Sequence, residues 1–319
     1  IDTPRLEALA RTVLDSLTKA VDCDGHLIVP RGTIGGAVRG TSKTAEDLRQ
    51  TADFALYHAK ETRRGGFVAY SEALGTTMTK RLRVIRDVGE ALVEERIDAH
   101  YQPIVRMDTG EIIGLEALFR VITPDGEVLP AGDFIEATSD VHTATQLTYR
   151  MMNIVARDVR AWLDQGIWFQ HVGINAASTD FQNDDLLKVI EAAFEREDVP
   201  LKHVILEVTE SVYMGQAGDT VARQIQKMRA NGLRVALDDF GTGFASLTHL
   251  LSVPVDIIKI DKSFVARMEP ESRAAAIVEG ILGIAAKLDI KVVAEGIETA
   301  SQAAQLKGMG CTLGQGYLF

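Results

Sequence analysis

Cysteine is scarce: Cys23 and Cys311 are the only two in 319 residues. They stand too far apart for any CxxC or finger spacing, which excludes a disulfide framework and fits the reducing cytoplasm. No apolar run approaches the roughly 20 residues that a membrane helix needs. Basic residues are in deficit, 34 Lys and Arg against 45 Asp and Glu, for a net charge of −11. Duplex nucleic acid, which demands a basic face, is therefore not an expected partner. The seven histidines (His26, His58, His100, His142, His171, His203, His249) include no HExxH or HxH spacing, so no histidine-ligated metal site is expected. Gly/Ser-rich linkers are missing, and so is a basic-then-apolar leader. The start at Ile1 rather than Met reads as a piece of a larger protein, one that a membrane segment elsewhere could anchor.

What is present is a hydrophobic content of 46%, enough for one large core and a smaller unit. From Tyr101 onward, β-branched runs alternate with amphipathic helical stretches, the pattern of repeated βα units. Eight strand candidates read YQPIVRM from Tyr101, IIGLEALFRV from Ile112, FQHVGINAA from Phe169, VILEVTE from Val204, RVALDDF from Arg234, IIKIDK from Ile257, KVVAEGI from Lys291 and CTLGQGYLF from Cys311. Helical stretches such as DDLLKVIEAAFERE and ESRAAAIVEGILGIAAKLD separate them. The expected fold is α/β, a (β/α)8 TIM-like barrel of about 220 residues. MDTGEI, between the first two strands, is too short for a crossover helix, so one barrel strand is expected to run antiparallel through a turn at Asp108-Thr109-Gly110. Residues 1–75 read as a small α+β unit: two helices, a strand pair around HLIVPRGTIGGAV and a closing strand GFVAY. Residues 76–98 read as a helical connector, from Leu82, Ile85, Val88 and Leu92, and residues 99–319 as the barrel.

Polar residues recur where the barrel strands end: Glu116, Asn175, Glu207, Asp238, Asp239, Asp261 and Glu295. That end of a (β/α)8 barrel is its active-site face. Any one of these acids could be a solvated loop residue. Acids that follow apolar strand residues, as in VILE, VALDD and VVAE, instead point into the barrel mouth, where unpaired charge is costly. Oxygen donors without His or Cys suit hard cations such as Mg²⁺ or Mn²⁺. Lys259, in IIKID, alternates onto the same side as Asp261 and faces those acids. DFG within DDFGTGF also occurs in protein kinases, but no HRD loop or Gly-rich phosphate loop accompanies it, so that reading fails.

These motifs resemble the EAL family of cyclic di-GMP phosphodiesterases over about residues 86–319. The matching pieces are YQPIV, EALFR, Asn175 of INAAS, LEVTES, LDDFGTGFASL, IKID, AEGIET and QGYLF. The resemblance implies hydrolysis of cyclic di-GMP to linear pGpG in bacterial signalling with two divalent cations, Mg²⁺ or Mn²⁺. By it, Glu116, Asn175, Glu207 and Asp238 hold one metal, and Asp238, Asp239 and Glu295 the second. Lys259 positions the attacking water and Gln315 supports the site. Gln102 and Arg120 contact substrate, and Glu210 and Glu298 brace the DDFGTGF loop. The family also implies a homodimer paired beside that loop. The sequence departs from the family in lacking a tryptophan after the EALFR arginine and in ending at Phe319, where a short Ser-Lys/Arg-Pro tail usually follows. Upstream, TIGGAV and TADFALYHAK resemble the C-terminal half of a GGDEF domain, without that family's signature, so no cyclase activity is expected. Two rival readings are a non-catalytic cyclic di-GMP receptor and an enolase-type proton-abstracting barrel with Lys259 as base.

Overall fold

The structure, a computed structural model, describes residues 2–23, 26–40, 44–182, 185–212, 218–241, 254–269 and 271–319. The chain divides into two compact units, residues 1–86 and 87–319. In the first, α1 (Thr3–Leu17) is followed by β1 (Val21–Cys23), β2 (His26–Ile28), β3 (Ile34–Gly36), α2 (Ala45–Thr62) and β4 (Phe67–Ala69). The two strands expected within HLIVPRGTIGGAV form but do not pair with each other. β2 pairs antiparallel with β1, and β3 pairs parallel with β4. Pro30 and Gly32 interrupt the run, and Gly35 packs so tightly on α2 that a Cβ there would strike the Leu56 backbone. The division between the units falls within α3 (Glu72–Val93).

The second unit is a closed eight-stranded barrel with surrounding helices, as the alternation predicts. Its strands are β5 (Ile97–Arg106), β6 (Ile112–Ile122), β8 (His171–Ala176), β9 (Val204–Thr209), β10 (Arg234–Phe240), β11 (Ile257–Ile260), β12 (Lys291–Ala294) and β13 (Leu313–Gly314). A short β7 (Val128–Pro130) adds an antiparallel ribbon to β6. β5 pairs antiparallel with both β6 and β13, which closes the barrel. Every other neighbouring pair in the ring is parallel.

Between β7 and β8 come α4 (Ile135–Thr138) and α5 (Val141–Asp164), the latter capped by Asp140, which accepts from Thr143 N at 3.0 Å. Tyr101 on β5 meets Trp162 of α5 edge-on at 4.7 Å and donates to Asp158 at 2.6 Å, fixing α5 to the wall. α6 (Leu186–Arg196), α7 (Gly218–Ala230), α8 (Lys262–Ala266), α9 (Arg273–Lys287) and α10 (Ala300–Gly308) complete the outer layer among the described residues. No described helix is long and apolar enough to cross a membrane.

The barrel interior is layered. Ile104, Ile113, Ile205, Ala236, Ile257 and Val293, with Leu313 packed against them, form an apolar floor. Strand side chains alternate, so the residue two further along each parallel strand also faces inward, one layer higher. The polar layer above the floor follows from that spacing.

Candidate active site

Five parallel strands place a polar side chain two residues beyond a floor residue: Glu207 above Ile205, Asp238 above Ala236, Lys259 above Ile257, Glu295 above Val293 and Gln315 above Leu313. β5 runs the other way, so its polar residue, Gln102, precedes Ile104 by two. On β6 the step is three, from Ile113 to Glu116, because the β5/β6 register shifts there. Asp239 would normally face away from Asp238. The β10/β11 register shifts between Leu237 and Phe240, and Asp239 takes a left-handed φ of 54°. That break in alternation brings two consecutive carboxylates to one site, and Asp tolerates the conformation better than most residues.

The result is two overlapping sets of acids, Glu116/Glu207/Asp238 and Asp238/Asp239/Glu295, each with ligand oxygens within 4.8 Å of one another. Lys259, 1% exposed, lies among them. Its Nζ is 2.9 Å from Glu116 Oε2, 2.7 Å from Glu207 Oε2, 2.7 Å from Glu295 Oε1 and 3.3 Å from Asp238 Oδ1. Asn175 Nδ2 donates to Glu116 Oε1 at 3.0 Å, and Gln315 Nε2 donates to Glu116 Oε2 at 2.7 Å and Gln102 Oε1 at 2.9 Å.

Five carboxylates against one ammonium is a large charge imbalance for a buried site, and the protonation equilibria carry its mark. Burial pushes the Glu207 carboxyl well above its usual range, with Lys259 opposing and Glu116 and Asp238 adding to the rise. Burial also lifts Glu295 to about 8, with Asp238 and Glu116 repelling it. Asp239 rises to about 6 through burial and the charges of Asp238 and Asp261. For Glu116 burial is outweighed by Lys259, Gln315 and Asn175, which hold it below the usual value. Lys259 stays firmly charged: burial disfavours the ammonium, but Glu116, Glu207, Glu295 and Asp238 overcome it.

This donor set fits hard divalent cations. It is all oxygen, and with all five carboxylates ionised its excess of four negative charges over Lys259 equals the charge of two such ions. Gln315 Oε1, buried beside the acids, has no hydrogen-bond partner among the described residues. A cavity of about 630 Å³ opens next to the acids, lined by Glu116, Asn175, Thr209 and Asp239 together with apolar Ile135, Leu147 and Met151. A space of this size suits a small-molecule ligand.

The remaining residues singled out in the sequence make the following contacts. Glu210 Oε1 accepts from Gly241 N at 2.6 Å, at the first residue of the GTGF segment; residues 242–253, including Gly243, lie outside the described residues. Glu298 is exposed, and its backbone N–H donates to Gln302 Oε1 at 2.9 Å. Arg120 turns back to the carbonyls of Leu118 and Phe119, two cavity-lining residues, at 3.4 and 3.0 Å. Asp261 caps α8, accepting from Ser263 N at 3.0 Å. One residue that the motifs did not mark is Gly173 on β8, where a Cβ would fall on the Glu207 carboxylate. A glycine inside a strand was the available signal.

The family model described as "EAL domain" matches residues 85–319. The chain is 31% identical over 311 residues to a bifunctional diguanylate cyclase/cyclic di-GMP phosphodiesterase, MucR, of Pseudomonas aeruginosa. That match covers 97% of this chain and 45% of the relative. It is 30% identical over 312 residues to the cyclic di-GMP phosphodiesterase NbdA of the same species, covering 98% of this chain and 40% of the relative. The chain thus spans less than half the length of either. Among solved structures, a P. aeruginosa MucR phosphodiesterase in complex with c-di-GMP superposes with a TM-score of 0.68 at 32% identity, covering 74% of this chain and 95% of that one.

Proposed function

Because this chain belongs to the EAL domain family, we propose that it hydrolyses one phosphodiester of cyclic di-GMP, adding water to give linear pGpG. The carrying observation is the cluster of five carboxylates, three of them buried and four of them against the buried Lys259, at the mouth of the barrel. Glu116, Asn175, Glu207 and Asp238 would hold one divalent cation, and Asp238, Asp239 and Glu295 a second, Mg²⁺ or Mn²⁺. Such a pair supplies Lewis acidity and charge neutralisation at the phosphodiester. Lys259 orients the attacking water through its ammonium, and Gln315 holds Glu116 in place. Gln102 and Arg120 contact substrate, Arg120 at phosphate. Glu210 and Glu298 steady the turn that follows Asp238 and Asp239.

Residues 1–75 are a remnant of a GGDEF-type domain that, without that family's signature, makes no cyclic di-GMP from GTP itself. Its cyclase-type origin is supported by the alignment of 97% of this chain with a bifunctional cyclase/phosphodiesterase. The protein acts in the cytoplasm as a homodimer. A receptor that only binds cyclic di-GMP is disfavoured because every proposed ligand is present and converges. Glu116→Ala and Asp238→Ala each remove a ligand and little core volume, so each should lower turnover of cyclic di-GMP by about a thousandfold or more while circular dichroism stays native. Near-normal formation of pGpG by either variant would sink the assignment.

A further inference from the structure

Resting on the metal-centre reading above, the geometry points to a second role for Lys259: its ammonium is an internal counter-cation that occupies the ligand oxygens of both metal positions and must release them before cations can bind. Four of the five carboxylates approach Nζ within 3.3 Å, and they come from both acid sets. An ammonium has three protons to donate, so four acid neighbours surround it as they would a small cation, more than hydrogen bonding alone requires. Glu116, Glu207 and Glu295, all members of the two acid sets, each direct one of their two carboxylate oxygens to Nζ. The floor of Ile205, Ile257 and Val293 keeps water from replacing the lysine from below.

Two opposed effects follow. Without metal, Lys259 is what lets the acids lie together, so its loss should destabilise the fold. With metal, it competes for the same oxygens, so its loss should tighten binding. A purely structural lysine would produce the first effect only, and a water-orienting lysine neither.

The test uses the full chain. Calorimetric titration with Mn²⁺ compares wild type with Lys259→Met. The expected result is a metal-free Tm below wild type, a larger rise in Tm on adding Mn²⁺, and a Kd tighter by about tenfold or more. Equal or weaker binding by the folded variant would overturn the inference. Should the variant not fold without metal, wild type decides: protein labelled with ¹⁵N-lysine is titrated with Mg²⁺ while the slowly exchanging signal of the buried ammonium is followed. That signal should shift or vanish in step with saturation; an unchanged signal at saturation overturns the inference and leaves the metal centre standing. No saturable binding of either ion by wild type overturns the metal centre and the inference together.

Discussion

Gly173 shows how much of a site can rest on an atom that is missing. Its lack of a side chain gives Glu207 the space its carboxylate fills, so Gly173→Ala should push that proposed ligand aside. We expect a fall of about 10- to 100-fold in metal affinity and in turnover, with the Tm lowered far less than by a core deletion; titration calorimetry and a hydrolysis assay check both. His171, below the acids, makes a different prediction. Burial, then Arg234 and Lys291, depress its ring pKa from 6.5 to about 3. Between those values the unfolded chain takes up a proton that the folded chain refuses. Stability should therefore rise with pH across that window, by up to about 1.4 kcal/mol per unit, and be complete above it. Denaturant unfolding at several pH values should show that slope flattened in His171→Gln. Glu116, Glu207, Asp238, Lys259 and Glu295 were legible in the sequence because an acid or lysine breaking an apolar strand has few places to point. Gly173 and the left-handed turn of Asp239 were not, since both depend on what a neighbouring strand presents.

At the scale of elements, the reversed strand β5 could be read from the brevity of MDTGEI, and the barrel from its alternation. The segment VITPDGEVLPAGDFIEATSD was opaque. Its β7 ribbon and the short α4 lack a sustained period and take their form from packing on β6 and α5. The pairing of β3 with β4 was equally hidden, because partners so distant in sequence leave no local trace. The turn after β10 joins element to function. Glu210, just beyond β9, receives the Gly241 amide, and Gly241 has a φ of 100° that favours glycine. A carboxylate accepting a backbone N–H anchors the turn more strongly than a neutral acceptor does. Glu210→Ala should cut turnover by roughly tenfold or more, while Mn²⁺ affinity stays within about twofold because no ligand is removed. Paired calorimetry and kinetics would reveal the split, and an unaffected rate would remove the bracing role.

At the scale of the molecule, the proposed dimer makes activity a function of protein concentration. If pairing beside the GTGF turn sets its position, dilution to monomer should lower specific activity several-fold, with sedimentation and turnover falling together. A monomer as active as the dimer would separate association from catalysis. The apolar floor has a further consequence. It lies below the acids, and the described cavity opens next to them, so cations and substrate would approach the proposed site from the mouth. If both use that approach, the ions would bind before the nucleotide, which would then hold them in place until it departs. Metal exchange in this chamber would then keep the rhythm of product release, and a chelator would act in the gaps between turnovers.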